Sequence, residues 1–315
     1  DCEIFGISSE KREGIYNLSS IGTILNEELF MDISDINKNK IFQTAIKNFD
    51  PEIVFHFAAQ SLVIEGFKNP RKTITSNIIG PFNLIENLNS VFNEMTVVVA
   101  TTDKVYKFPQ NVNSEDFELG GKDFYSNTKV GKELLIDAFK NHPEYRGYNF
   151  SKVRSGNVIG GGERAENRLF TDLINSIKEN KDIIVRNPNH IRPWQYVLDS
   201  LYGYLLIGEE SFTNNVSKTF NLNSEINNKY SVLEIVELFK KFSKLDKEIT
   251  INEELGYEEV KKLKIDSTKA EKELGWIAKK EIPEIIELIV KWENFHDGIK
   301  TPDYSFNEID QYLSS

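Results

Sequence analysis

The chain has 315 residues, 39% of them hydrophobic, enough for one large domain or two moderate ones with a real core. A net charge of −11 argues against a duplex-binding protein, and the nearest basic cluster, Lys261–Lys264, follows Glu258 and Glu259 as on a solvated helical face. No apolar run approaches the ~20 residues of a membrane helix, no signal peptide opens the chain, and the single cysteine, Cys2, excludes an internal disulfide. The sequence reads as a cytoplasmic protein with neither a nucleic-acid nor a membrane partner.

In chain order, Ile4–Ile7 alternates in the manner of a strand, and a Ser/Glu/Lys/Arg loop follows. Ile33 to Asn48 carries a helical stripe of apolar residues. Ile53–Ala58 is a continuous apolar run, typical of a parallel strand buried on both faces. Thr73 to Val91 reads as a helix. Thr96–Thr101, with four β-branched residues in a row, is the clearest strand. Phe124 to Lys140 is a second long helix and Asn149–Arg154 a shorter strand. Repeated strand–helix–strand units of this kind build a doubly wound parallel, Rossmann-type α/β sheet. Beyond Gly160 the pattern changes: Gly160–Gly162 and Arg186–Trp194 gather glycine, arginine and proline, and helical stretches follow at Ser231–Phe242 and Pro283–Phe295. The expected division is a nucleotide-binding domain over 1–158 and a smaller substrate domain over 159–315, with a segment around 190–207 returning to the first.

Ligands of open α/β sheets bind beyond the carboxyl ends of the strands. After the strand at Thr96 come Thr101, Thr102, Asp103 and Lys104; after that at Ile53 come Ala58, Ala59, Gln60 and Ser61; after that at Asn149 come Gly156, Asn157 and Val158. The following helix places Tyr125 and Lys129 four residues apart, on one face. A phenol of pKa ~10 needs to be lowered by ~4 kcal/mol to act as a base near neutrality. One ammonium ~4 Å away supplies roughly that much at an effective dielectric of 20. A lone Tyr-x-x-x-Lys arises often by chance; its place shortly after Thr-Thr-Asp-Lys makes it specific.

The segments Phe55–Gln60, Thr101–Tyr106, Tyr125-x-x-x-Lys129, Arg154-x-Gly156–Gly162 and Arg186–Gln195 together resemble those of extended short-chain dehydrogenase/reductases, and within them the CDP-glucose 4,6-dehydratase group. The resemblance runs from about residue 1 to about residue 295. It implies an NAD-dependent oxidation, dehydration and reduction of a nucleotide sugar. In it Tyr125 is the base at the 4-hydroxyl, Thr102 its hydrogen-bonding partner and Lys129 the holder of the ribose. Asp103 and Lys104 are the acid and base of water elimination, with the split between them open. The resemblance places Asp32, Ile33, Phe57, Ala58, Ala59, Asn77, Thr101, Tyr125 and Lys129 at the cofactor. Gln60, Asn157, Arg168 and Arg192 fall at the substrate, with Arg192 suited to a pyrophosphate because a planar fork matches phosphate. It implies a homodimer or homotetramer through the helix carrying Tyr125 and its neighbour.

Other residues have plainer readings. Arg168 and Arg186 are as readily surface ion pairs, Trp194 reads as core, and His56 as a strand-end structural residue. No grouping resembles a metal site. The family's glycine-rich turn is not found: Gly6 is followed by Ile7, Ser8 and Ser9, and Gly14 and Gly22 stand alone. Glu3–Ile7 resembles the family's second strand, so the sheet is expected to be N-terminally incomplete by on the order of 30 residues. Two further readings remain. One is another sugar-nucleotide dehydratase or epimerase, against which the Asp103-Lys104 pair and the Ile191-Arg192-Pro193-Trp194 segment speak. The other is a catalytically silent sugar-nucleotide-binding protein.

Overall fold

The computed structural model describes residues 2–9, 25–108, 112–251, 263–295 and 301–315. Gly14, Gly22, Glu258, Glu259, Lys261 and His296 lie outside the described residues. By its internal contacts the chain forms two compact units. The first comprises residues 1–107, 117–154 and 204–220; the second, residues 108–116, 155–203 and 221–315.

The first unit opens with two short parallel strands, β1 (Phe5–Ser8) and β2 (Glu27–Phe30). The helix expected from Ile33 begins later, as α1 (Asn39–Phe49). The delay has a local cause: the Asp32 carboxylate accepts from the backbone and hydroxyl of Ser34, and Asp35 caps a single 3-10 turn at Ile36–Lys38. Such side chains compete with helical hydrogen bonds. Next come β3 (Ile53–His56), α2 (Gly80–Asn89), β4 (Glu94–Ala100), α3 (Phe124–Asn141) and β5 (Gly147–Ser155). The four-stranded sheet is ordered with Thr219–Leu222 beside β5, then β4, then β3. The β3–β4 and β4–β5 pairs are parallel, with Val54 opposite Val97 and Val98 opposite Ser151. This is the parallel α/β sheet expected from the sequence.

Its core lies where the apolar stripes of α1, α2 and α3 meet the sheet, with Phe42, Ile46, Leu88, Val97, Ile136 and Phe150 buried together. Each such side chain contributes about 1.5–3 kcal/mol by leaving water. The helix leading to α2 starts earlier than expected, at Pro70–Ile74, and passes through one π turn at Thr75–Ile79. A separate short helix, Val63–Lys68, was not apparent from the sequence.

The second unit has its own core, including Phe170, Leu173, Trp194, Tyr196, Ile235 and Ile286. Its strands are short parallel pairs: Asn157–Ile159 with Trp194–Tyr196, Ile183–Val185 with Ile249–Ile251, and Val112–Asn113 with Lys264–Ile265. The helix Val232–Ser243 starts with a reciprocal cap between Ser231 and Glu234. The helices Leu169–Glu179 and Thr301–Leu313 join the two expected from periodicity. Among the described residues no helix is long and apolar enough to cross a membrane.

Candidate active site

The clearest strand leads into the Thr102–Lys104 segment. After β4, Thr102 caps a 3-10 turn, Asp103–Val105. Its hydroxyl donates to Asp103 Oδ1 at 3.0 Å and accepts from the Lys104 backbone N–H at 3.4 Å. Thr102 and Asp103 are buried, and Lys104 half-buried. The three residues thus form one small hydrogen-bonded turn at the carboxyl end of a buried parallel strand.

Tyr125 and Lys129 reach this region from α3. That helix starts at Asp123, whose carboxylate accepts from Ser126 N–H at 2.9 Å, so Tyr125 sits in a capped and ordered first turn. The short helix Val63–Lys68 presses on it: a Cβ on Gly66 would lie 3.1 Å from both Tyr125 N and Cβ. Tyr125 and Lys129 are both buried, with Lys129 Nζ 5.6 Å from the Tyr125 ring centroid. Burial lowers the Lys129 pKa from its ordinary 10.5 to about 8. Among the described residues its ammonium makes no ion pair and no hydrogen bond. Lys132, one turn on, is buried, donates to Ala100 O at 3.0 Å and is pushed well down by burial and by Lys129, against the pull of Glu133. His56, at the end of β3, is buried and held neutral by burial, then by Lys132 and Lys129. Its Nε2 has no hydrogen-bond partner among the described residues.

The loop after β3 is fastened by Asn77, which sits in the π turn. Asn77 accepts from Gln60 N at 2.9 Å and donates to Gln60 O at 3.1 Å and to Thr128 Oγ1 at 3.0 Å. Gln60 Nε2 donates to Leu62 O and Thr73 Oγ1, both at 2.9 Å, and Gln60 Oε1 accepts from Leu62 N. A π turn adds one residue per turn and commonly marks a functional position; here it brings the Asn77 amide between a strand-end loop and α3. Phe57 lies half exposed against Tyr204, centroids 4.8 Å apart, with Ala58 exposed and Ala59 half-buried beside it. Asp32 is exposed after β2, and half-buried Ile33 lies against Gly80, where an added Cβ would meet it at 3.4 Å. Thr101 points away from the turn, its hydroxyl donating to Glu133 Oε1 at 2.8 Å.

In the second unit, Asn157 opens its strand, half-buried, with its N–H donating to Pro193 O at 2.9 Å. Arg168 precedes the helix Leu169–Glu179. Arg192 is buried, with Nη1 donating to Ile191 O at 3.3 Å and Nη2 2.7 Å from His190 Nδ1. Arg186 forms the surface ion pair allowed for it, 3.2 Å from Asp172, and Trp194 is core. Among the described residues no group of three or more His, Cys, Asp or Glu is placed to hold a metal ion.

The buried pair of Glu133 and Arg154, in the first unit, escaped the sequence reading. Arg154 Nε lies 3.0 and 3.1 Å from the two Glu133 oxygens and Nη2 2.6 Å from Oε2. Its signal in the sequence is a carboxylate four residues beyond Lys129 on the buried face of a helix.

A parallel α/β sheet, a Thr-led turn after its middle strand and a buried Tyr–Lys pair on the next helix define an extended short-chain dehydrogenase/reductase. The profile of the family described as GDP-mannose 4,6 dehydratase matches residues 3–289, and the chain belongs to that family. It is similar to a CDP-glucose 4,6-dehydratase of Salmonella typhimurium, 35% identical over 304 residues, 92% of this chain and 84% of the relative. It is 27% identical to a UDP-glucose 4-epimerase of Lactobacillus helveticus over 278 residues, 83% of each chain. Among solved structures, the UDP-glucuronic acid 4-epimerase from Bacillus cereus, in complex with UDP-glucuronic acid and NAD, superposes with a TM-score of 0.79. That match has 19% identity and covers 93% of this chain and 91% of the epimerase.

Proposed function

We propose that this protein dehydrates a nucleotide-activated hexose, converting CDP-glucose to CDP-4-keto-6-deoxyglucose with NAD as its bound oxidant. The observation that carries the reading is the Thr102-Asp103-Lys104 turn in the same compact unit as the buried Tyr125–Lys129 pair. Oxidation at an alcohol needs only Thr102, Tyr125 and Lys129. The added acid and base in the turn suit elimination, which a 4-epimerase does not perform. The 35% identity to a CDP-glucose 4,6-dehydratase supports the choice of sugar nucleotide.

The residues fit the cofactor. Lys129 offers a buried ammonium that makes no ion pair or hydrogen bond among the described residues, suited to ribose hydroxyls. Phe57, Ala58 and Ala59 present backbone at the end of a parallel strand, with Asp32, Ile33, Asn77 and Thr101 completing the expected set. When bound, NAD accepts hydrogen from sugar carbon 4 and returns it to carbon 6, so it is not consumed.

Tyr125, as phenolate, takes the proton from the 4-hydroxyl. Lys129, its ammonium 5.6 Å from the Tyr125 ring centroid, stabilises the phenolate by its charge. Thr102 hydrogen-bonds the reacting oxygen. The carbon 4 ketone acidifies carbon 5, and Asp103 and Lys104 then share the removal of that proton and the protonation of the departing 6-hydroxyl. Water leaves, and the product is at the oxidation level of the substrate. Gln60, Asn157, Arg168 and Arg192 remain the substrate-binding set that the resemblance implies, and the Arg192 guanidinium matches a pyrophosphate in shape and charge.

The test is turnover with NAD in deuterated water, offering CDP-glucose and UDP-N-acetylglucosamine in parallel. CDP-glucose is expected to give a 4-keto-6-deoxy product with solvent deuterium at carbon 5. Lys104→Met is expected to abolish that incorporation while NAD binding, followed by calorimetry, is retained. Turnover of UDP-N-acetylglucosamine alone, formation of a 4-epimer, or no turnover at all would each overturn the reading. Normal exchange in Lys104→Met would remove Lys104 from the mechanism.

A further inference from the structure

We infer that the buried Glu133–Arg154 pair positions the acid–base turn against the helix that carries Tyr125 and Lys129, so that oxidation and elimination act on one substrate pose. The inference rests on the roles proposed above for Asp103 and Lys104.

The turn is tied at both ends to this one pair. At its start, Thr101 Oγ1 donates to Glu133 Oε1 at 2.8 Å. At its end, Arg154 Nη1 donates to the Tyr106 hydroxyl at 2.9 Å, and the guanidinium lies 4.9 Å from the Tyr106 ring centroid. Between these anchors lie only Thr102, Asp103, Lys104 and Val105. Glu133 belongs to α3, one turn beyond Lys129, and Arg154 to β5, the strand paired with β4. The four anchors are buried: Glu133 is 0% exposed, Arg154 3%, Tyr106 1% and Thr101 9%.

Stability alone does not account for such a pair. Two charges taken from water cost about what they gain, and apolar groups of the same volume serve as well or better. A guanidinium and a carboxylate add direction, because their two parallel hydrogen bonds fix angle as well as distance. That direction passes to Thr101 and Tyr106, and through them to the turn. A displacement of ~1 Å at a reacting group can cost about a hundredfold in rate. Oxidation draws on Tyr125 and Lys129 of α3 with Thr102 alone from the turn, whereas elimination draws on two turn groups, Asp103 and Lys104, so the pair's effect falls mainly on the second step.

Two variants test this. Tyr106→Phe removes only the hydroxyl held by Arg154; the backbone bridge from Tyr106 to Leu119 and the bond from Gly120 N to Val105 O keep the segment folded. Glu133→Leu with Arg154→Met replaces the whole pair by apolar groups. Without substrate, amide hydrogen exchange read by mass spectrometry is expected to quicken about tenfold over Asp103–Val105 in both, with Val97–Val99 of β4 unchanged. In single turnover of Tyr106→Phe with NAD and CDP-glucose, carbon 4 oxidation, followed by the absorbance of the reduced cofactor, is expected to change less than about twofold, because the Thr101–Glu133 bond beside Thr102 is kept. Deuterium incorporation at carbon 5 is expected to slow about tenfold, so the oxidised sugar accumulates.

A proportional fall of both steps, or exchange that quickens equally in β4, makes the pair merely structural and overturns the inference. So does a change of less than about twofold in every measurement. If the double variant does not fold, Tyr106→Phe decides. If the unaltered protein does not oxidise CDP-glucose, the substrate assignment fails, and the exchange measurement still decides the positioning role.

Discussion

Lys129 shows what burying a charge costs a fold. An ammonium without an anion in a low-dielectric site destabilises the fold while it stays protonated. Its fall from 10.5 to about 8 corresponds to ~3 kcal/mol. The unfolded chain keeps this proton up to about 10.5, whereas the folded chain gives it up above about 8. Stability from this group therefore rises with pH between those values, and the penalty is full below them. Lys129→Met is expected to stabilise the free protein by up to ~3 kcal/mol at neutral pH, to flatten the alkaline rise, and to abolish turnover. Urea unfolding of both proteins across neutral to alkaline pH measures it. A variant less stable than the parent at neutral pH would contradict this account of the site.

At the scale of elements, α3 is the organiser. Its N-cap orders Tyr125, its buried face carries Lys129, Lys132 and Glu133, and its apolar turns reach the core through Ile136 and Phe139. The short helix Val63–Lys68 sets its near end, because Gly66 lets backbone approach backbone. Gly66→Ala is expected to cost about 1–3 kcal/mol by overpacking and to lower kcat more than it changes KM, given the chemical role proposed for Tyr125. Thermal unfolding and steady-state kinetics check the two halves, and an unchanged kcat would mean that Tyr125 tolerates the shift.

These elements also mark what was legible in the sequence. β4 and α3 were readable to within two residues at each end, because four consecutive β-branched residues and a long amphipathic stripe are strong local signals. Tyr125, Lys129 and the Thr102–Lys104 turn were readable for the same reason: they follow directly from a strand end and from helical spacing. The helix Val63–Lys68 was not, since six residues without a side-chain cap are held by packing on Tyr125 rather than by propensity. The four-residue strand β2 also depends on its partner more than on its own pattern. Glu133 and Arg154 were visible as residues but not as a pair, because the contact that joins them spans 21 positions. Asn77 was expected near the cofactor; its engagement with Gln60 and Thr128 required the π turn, which no local signal announces.

At the scale of the whole molecule, the helical run that ends in α2 and the adjacent α3 leave Ile74, Ile79, Phe82 and Leu134 exposed. Apolar surface of this kind on neighbouring helices suits the homodimer or homotetramer that the resemblance implies. Phe82→Glu is expected to shift the protein to monomer in analytical ultracentrifugation while far-ultraviolet dichroism stays unchanged. An unaltered sedimentation coefficient would move the interface elsewhere.

The first unit draws on three separate stretches of chain, the last ending at residue 220. During synthesis, at about 5–20 residues per second, Leu222 follows the end of β5 at Ser155 by ~3–13 s. Until Thr219–Leu222 emerges, β5 lacks its outer neighbour, and its backbone, carrying Phe150 and Val153, forms an open sheet edge. Open apolar edges are templates for pairing with other chains. The nascent protein therefore passes through a sticky interval set by the order of its segments rather than by the stability of the finished fold, and its yield in the cell depends on what shields that edge while translation catches up.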